Sequence, residues 1–259
     1  MDIYSKVFFI FKLKINYSKS VFYFLLIIKL FFISCTNFQN TSKNWPDKIL
    51  NKLNLREKIA QMMIYSMNMR FNDISEKKWE EIFNLINSDG IGGIHLWYGE
   101  ASSSLVIMNE MQKQSQVPIL FDADLEYGLK QRFSLGTEFP PAMAISSTGN
   151  TDNAYKIGKI IAKEARSVGL HWNFSPVVDI NNNPLNPIIN TRSFGENPEI
   201  VSDYSIQLMK GLQSGGMLST AKHFPGHGDT ETDSHSSLAL IPSDSSRLWK
   251  TEIKPFKEM

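Results

Sequence analysis

The sequence predicts an α/β fold built from parallel βαβ units. Short apolar runs typical of buried strands alternate with longer stretches whose apolar residues recur at helical spacing. Polar and charged residues directly follow three of the predicted strands, as they do at the carboxyl edge of such sheets. The glycine-rich stretch 90–93 lacks the spacing of a phosphate-binding loop. These observations favour a (β/α)8 TIM-type barrel over a doubly wound sheet.

Strands and helices alternate in order from residue 53. The helical stretches carry apolar residues three and four apart, and the longest one ends at Gly169. Loop 181–190 is rich in asparagine and contains two prolines. The predicted strands are 62–65, 91–97, 117–122, 170–179 and 217–224, and the predicted helices are 53–58, 75–87, 102–114, 151–168 and 199–213. A barrel has eight strands, so we expect only its first five or so βα units here, with the chain stopping inside a final helix that includes 248–259.

Composition excludes several classes of protein. The 259 residues are 42% hydrophobic and 20% charged, which excludes a disordered chain, a collagen-like chain and a small disulfide-stapled module. Beyond residue 34 the chain has 22 basic and 25 acidic residues. A basic body that binds nucleic acid is therefore not expected.

The N-terminus resembles the signal segment of a bacterial lipoprotein. Residues 1–34 contain five lysines and one acid, and the apolar run 21–28 is too short to span a bilayer. The single cysteine, Cys35, follows Ser34 and is the expected lipidation site. We expect a signal segment at 1–35, a polar tether at 36–44, and the barrel portion at 45–259, with the protein in the bacterial cell envelope. An uncleaved anchor or an ordinary cysteine is the alternative.

Three of the five histidines lie within the stretch KHFPGHGDTETDSH, residues 222–235. Its proline, glycine and threonine residues predict a loop. Asp233 and His235 are two residues apart, so the carboxylate can orient the imidazole and favour its protonated form. Such a pair can deliver and recover a proton near neutral pH. Zinc bound by His223, His227 and His235 with Asp229 or Asp233 is the alternative, although Pro225 and Gly226 disfavour the helix that would align the first two.

This stretch resembles the signature of glycoside hydrolase family 3, in its β-N-acetylglucosaminidase branch. Further blocks follow the family's order and extend the resemblance from about residue 53 to the end. The blocks are Asp-Leu-Glu-Tyr-Gly at 124–128 with Gln-Arg-Phe at 131–133, Asn-Phe-Ser-Pro-Val-Val-Asp at 173–179, and Arg-Ser-Phe-Gly at 192–195.

The resemblance implies a role for each matching residue. His235 is the implied general acid/base, and Asp233 orients it. The residues implied to bind the hydroxyl groups of N-acetylglucosamine are Asp124, Arg132, Arg192, Lys222 and His223. Arginine, lysine and carboxylate side chains have the donors and acceptors that a neutral polyol needs. No metal or organic cofactor is implied.

Several of these residues also have a simpler structural interpretation. Arg192 can pair with Glu196 or Asp179, and Arg132 can be solvated as most surface arginines are. Asp122 and Glu126 are expected to support the site without binding ligand directly. Apolar surroundings predict that His95 and His171 are core histidines. Trp97 is interpreted as a core residue, with stacking on a sugar as the alternative.

The implied activity is removal of terminal β-linked N-acetylglucosamine from muropeptides or chitin-type oligosaccharides by a retaining mechanism. That mechanism needs an aspartate nucleophile. The acids after His235 are Asp244, Glu252 and Glu258, and none matches the family's nucleophile motif, so we expect the nucleophile beyond Met259. The alternatives are a β-glucosidase-type member of the family and a non-catalytic or truncated sugar-binding lipoprotein. The sequence leaves open whether water or phosphate accepts the sugar.

Overall fold

The computed structural model describes residues 44–70, 75–241 and 243–259. The predicted signal segment with Cys35, and all of the tether except its last residue, lie outside the described residues. The chain divides into two compact units after Leu55. Helix α1 (Trp45–Leu50) belongs to the first, and the sheet described below belongs to the second. In the part of the chain that is described, no helix is both long enough and apolar enough to cross a membrane.

A five-stranded parallel sheet forms the centre of the second unit. Its strands lie in chain order, so each strand pairs with the one before it. The strands are β1 (Ile64–Met69), β2 (Gly93–Gly99), β3 (Leu120–Ala123), β4 (Trp172–Asn173) and β5 (Leu218–Ser219). Parallel strands joined by helices in sequential order are the arrangement of a partial barrel, and this confirms the predicted fold class.

Helices connect the strands. Ser75 and Asn197 begin two of them as N-caps, each accepting a backbone N–H of the first turn on its side-chain oxygen. The helices are α2 (Leu55–Ala60), α3 (Glu76–Asn84), α4 (Ala101–Gln114), α5 (Ala142–Ser146), α6 (Asp152–Ser167), α7 (Pro198–Ser214), α8 (Ser245–Lys250) and α9 (Lys254–Glu258). A π-helical turn at Leu85–Asp89 follows α3, and two 3-10 turns lie at Leu129–Gln131 and Asn190–Arg192.

The sequence predicted the order and type of these elements better than their limits. Strand β1 lies further along the chain than the predicted 62–65. The predicted strands 170–179 and 217–224 shrink to two residues each, continued by a single bridge between Val177 and Lys222. The final helix is two short helices: the first ends at Lys250 with Thr251 as its C-cap, and Pro255 occupies the first turn of the second.

The core lies between the sheet and the helices, and the backbones of α6 and α7 touch there. A Cβ added to Gly158 would lie 2.5 Å from the carbonyl oxygen of Leu208, and one added to Gly211 would lie 2.2 Å from that of Tyr155. Both glycines are therefore required by the close approach of the two helices. Buried apolar side chains of both helices, among them Ile161 and Leu208, complete the contact.

Replacing Gly211 by Ala is expected to lower the free energy of unfolding by about 2 kcal/mol, because the added methyl group must push the two backbones apart. The loss exceeds the gain in helix propensity that alanine normally brings, about 1 kcal/mol. Chemical denaturation of the chain measures it, and Lys210→Ala on the exposed face of α7 is the matched control. A Gly211→Ala variant as stable as the control would contradict this account of the crossing.

Candidate active site

The polar residues gather at the carboxyl ends of the strands. Asp124 follows β3 directly, and Lys222 lies just beyond β5, held by its bridge to Val177. Arg132 reaches the same edge because its carbonyl oxygen accepts from the backbone N–H of Gly99 at the end of β2, at 2.9 Å. Parallel strands place these residues together although they are far apart in the sequence.

Asp124 is a half-buried carboxylate with two cationic neighbours. Lys222 Nζ donates to its Oδ1 at 2.6 Å, and Arg132 Nη2 lies 3.3 Å from its Oδ2. Arg132 Nε also donates to the Asp124 carbonyl oxygen at 3.3 Å. The Asp124 side chain is 19% exposed. The carboxylate is thus fixed in place while one side remains open to solvent.

Glu126 is more deeply buried and more completely paired. Arg192 donates to it through two nitrogens, Nε to Oε2 at 3.0 Å and Nη2 to Oε1 at 2.8 Å. Lys222 Nζ lies 2.7 Å from Oε1, so one ammonium joins Glu126 to Asp124. Burial by itself raises the pKa of Glu126, but the bonds from Arg192 and the charges of Lys222 and Arg192 outweigh it and lower the pKa to about 2.

Asp179 anchors the start of the histidine-rich loop. Its buried carboxylate binds His223 Nδ1 at 2.6 Å and accepts the backbone N–H groups of His223 and His227 at 3.2 and 2.7 Å. Arg192 Nη2 lies 3.4 Å from His223 Nε2. With Asp179 accepting from Nδ1 and Arg192 donating to Nε2, these partners select the Nδ1–H tautomer of His223.

His235 and Asp233 form a separate, exposed pair. His235 Nδ1 lies 2.6 Å from Asp233 Oδ1, which also accepts the His235 backbone N–H at 2.9 Å. The His235 side chain is 79% exposed. The bonds from the His235 backbone and side chain lower the pKa of Asp233. The carboxylate therefore stays ionised beside an exposed imidazole, and a pair of this kind is chemically able to donate and accept a proton.

The third histidine of the loop, His227, is held internally. Its Nδ1 lies 2.5 Å from Thr230 Oγ1 and its Nε2 lies 3.0 Å from Ser234 Oγ. It borders a cavity of about 520 Å³ between loop segments 223–227 and 234–241. The three histidines thus have separate partners, and the described residues contain no cluster of three or more metal-ligating side chains. The geometry gives no support to the zinc alternative.

The contacts of Arg192 and Arg132 differ from the simpler interpretations that the sequence allowed. Arg192 pairs with Glu126 instead of Glu196 or Asp179, because the Asn190–Arg192 turn directs it across the strand ends. The Arg132 side chain is only 14% exposed, since Asp124 and the strand end enclose it, so it is not a solvated surface arginine.

The aromatic and histidine residues divide into two groups. Trp97 is 45% exposed, so its interpretation as a core residue is wrong: it stands at the end of β2, beyond the covered part of the sheet. His95 is buried, with Nδ1 2.5 Å from Asp122 Oδ1. His171 Nδ1 accepts the Phe121 backbone N–H at 3.1 Å, and burial lowers the pKa of His171. His95 is thus a buried histidine as predicted, whereas His171 is only partly buried, and each has a hydrogen-bond partner at Nδ1.

The sequence left the partners of two organising carboxylates undetermined. It predicts that Glu126 supports the site, and it places Asp179 at a strand end as a possible partner of Arg192, but it does not reveal which groups either carboxylate binds. Each binds two or more groups of the site. The signal available in the sequence was alternation: Asp122, Asp124 and Glu126 are spaced two apart where a strand ends. That spacing does not reveal which of them meets a cation.

Acidification is expected to weaken the fold through Glu126. Its folded-state pKa of about 2 lies below its ordinary value of 4.5, so its ionised form stabilises the fold above about pH 4.5. This stabilisation, about 3 kcal/mol, is lost as the pH falls from 4.5 towards 2. Denaturation curves across this range measure it. Glu126→Gln should show a shallower pH dependence over the same range, and an unchanged slope would contradict the assignment.

Comparison with known proteins identifies the family and the fold. The family model described as "Glycosyl hydrolase family 3 N terminal domain" matches residues 54–259. A curated relative, beta-hexosaminidase A of Pseudoalteromonas piscicida, is 35% identical over 192 residues, which cover 69% of this chain and 32% of the relative. The chain therefore spans about a third of that relative's length.

Two solved structures share the fold. The family 3 β-N-acetylglucosaminidase of Paenibacillus sp. FPU-7 superposes with a TM-score of 0.72 at 35% identity, covering 80% of this chain and 40% of that one. NagZ of Neisseria gonorrhoeae, in complex with N-trifluoroacetyl-D-glucosamine, has a TM-score of 0.65 at 29% identity, covering 76% of this chain and 59% of its own. The family model matches most of the chain, including every residue of the site. The chain therefore belongs to glycosyl hydrolase family 3 and corresponds to the N-terminal domain of that family.

Proposed function

We propose that this chain binds terminal β-linked N-acetylglucosamine of muropeptides or chitin-type oligosaccharides. We also propose that it takes part in a retaining glycosidase reaction in which His235 is the general acid/base. The observation that carries the proposal is the ammonium of Lys222, placed between two carboxylates at the open edge of the sheet. Relatives named as hexosaminidases and β-N-acetylglucosaminidases support the choice of sugar.

The hydrogen-bonding capacity of the cluster suits a neutral polyol. Glu126 is occupied at both oxygens by Arg192 and Lys222, so its task is to hold the two cations. Asp124 has a close partner only at Oδ1, and its Oδ2 contact with Arg132 is 3.3 Å long. Asp124 therefore keeps lone pairs for ligand hydroxyl groups, and Lys222 keeps one N–H.

His235 is the proton donor and acceptor in this proposal. Its protonated form donates to the glycosidic oxygen as the carboxylate nucleophile of the retaining mechanism takes the sugar from the leaving group. Its neutral form then accepts a proton from the acceptor that displaces this nucleophile. Asp233 holds Nδ1 by a hydrogen bond, so that Nε2 is the nitrogen that exchanges the proton.

The acids that follow His235 have structural tasks and are not proposed as the nucleophile. Asp244 caps α8 by accepting the Arg247 N–H at 2.8 Å. Glu252 is buried and accepts from Asn182 Nδ2 at 3.1 Å. Glu258 lies 3.7 Å from Lys254.

We also propose that the protein is attached to the bacterial cell envelope by a lipid on Cys35, on its periplasmic or extracellular face. The support is the sequence of residues 1–35 alone: a lysine-bearing start, a short apolar run and a small residue before the cysteine. Intact mass of the protein recovered from host membranes tests this, because a diacylglycerol adduct on Cys35 is expected and Cys35→Ala should move the protein to the soluble fraction.

Sugar binding is tested by titrating this chain with N-acetylglucosamine in a calorimeter. Asp124→Asn and Lys222→Met should each weaken binding by about tenfold or more, since each removes a charged hydrogen-bond partner. Lys130→Met is the matched control, because Lys130 lies in the neighbouring turn and pairs with exposed Glu138. Equal affinity for glucose would favour the β-glucosidase alternative, and no affinity for either sugar would contradict the proposal.

Catalysis is tested on the native protein purified from its host, with a β-N-acetylglucosaminide that has a poor leaving group. His235→Ala should reduce turnover by about 10²- to 10⁴-fold, the usual contribution of a general acid/base. A substrate with a good leaving group should be affected less, because it needs less protonation. Full turnover by His235→Ala would contradict the assignment of His235.

A further inference from the structure

Two adjacent aromatic residues stand exposed where β2 ends beside the Asp124 cluster. The first four residues of β2 are buried, whereas Trp97 is 45% and Tyr98 is 46% exposed. Large aromatic side chains usually bury most of their surface. Neighbouring exposed aromatic side chains next to a polar cleft are typical of a ligand site.

Trp97 shares two neighbours with Asp124. The guanidinium of Arg132 lies 5.1 Å from the Trp97 ring centroid, and the same group contacts Asp124 Oδ2. The His95 ring meets Trp97 edge-on at 5.1 Å, and its Nε2 lies 3.7 Å from Asp124 Oδ2. The indole is therefore separated from the Asp124 carboxylate by a single layer of side chains.

Arg132 also holds the orientation of this aromatic pair. Besides its contact with Trp97, its guanidinium lies 5.8 Å from the Tyr98 ring centroid. Cation–π attraction of this kind fixes a ring without covering all of it, and nearly half of Trp97 remains exposed. Trp97 and Tyr98 are thus held in place by Arg132 while part of their apolar ring surface stays exposed. We call this pair the stacking wall.

We propose that Trp97, with Tyr98 beside it, is the stacking wall for the sugar ring whose hydroxyl groups bind Asp124 and Lys222. This inference rests on the proposed function and names the part of the site that recognises the apolar face of the ring. A pyranose with equatorial substituents has a polar rim and apolar C–H faces. The charged cluster matches the rim, and an aromatic ring matches a face.

Calorimetric titration of the chain with N-acetylglucosamine tests the wall. Trp97→Ala should weaken binding by about tenfold, the loss expected for one aromatic stacking partner. Trp97→Phe keeps an aromatic face and should bind within about threefold of the unmodified chain. Trp249→Ala is the matched control, because Trp249 is also exposed but lies on α8, and it should bind as the unmodified chain does.

Tryptophan emission gives a second measurement that does not depend on the stability of Trp97→Ala. Addition of N-acetylglucosamine should shift the emission of the unmodified chain and of Trp249→Phe. The shift should be absent in Trp97→Phe, which binds the sugar but has lost the reporting indole. A shift that persists in Trp97→Phe would overturn the proposal.

These outcomes distinguish the stacking inference from the proposed function on which it rests. If Asp124→Asn weakens binding but folded Trp97→Ala binds as tightly as the unmodified chain, the stacking wall is overturned and the proposed function stands. If the unmodified chain binds no N-acetylglucosamine at all, the proposed function fails and the wall fails with it.

Discussion

The ammonium of Lys222 joins two parts of the fold that are almost a hundred residues apart. It binds Asp124 and Glu126, both in the loop after β3, from its own position beyond β5. Buried charges are costly unless they are paired, so the loop and the strand end stabilise each other only in this arrangement. Glu126 then positions Arg192, and Arg192 contacts His223. The site is therefore a network in which Lys222 and Arg192 each pair with a carboxylate from a distant part of the chain.

Asp179 has the corresponding task for the histidine-rich loop. A single buried carboxylate accepts two backbone N–H groups and binds one imidazole, which fixes the first half of the loop to the end of the sheet. The second half carries Asp233 and His235 and is exposed. The loop thus combines a fixed end beside the charged cluster with an exposed Asp233–His235 pair. Under the function proposed above, this division would let the sugar be held still while a proton is moved to it.

Much of the fold could be predicted from the sequence. Apolar spacing predicted helices α3, α4, α6 and α7 because packing against one side of a sheet requires a periodic apolar face. The limits of β4 and β5 could not be predicted, because their apolar runs continue past the point where the backbone leaves the sheet and turns to the site. Likewise Trp97 looks apolar in sequence, but whether a strand end is covered depends on what packs above it.

The sequence by itself determined the residue types of the site and their places at strand ends, because charged residues and histidines directly follow the stretches that predict the strands. It also determined the Asp233–His235 pair, because two residues of separation bring the groups together locally. Only the tertiary structure decided that Arg192 meets Glu126, that Lys222 joins two carboxylates, and that Asp179 holds His223. These contacts connect residues 44 to 98 positions apart. Local sequence rules extend over only a few residues, so the packing of the strands chooses each partner.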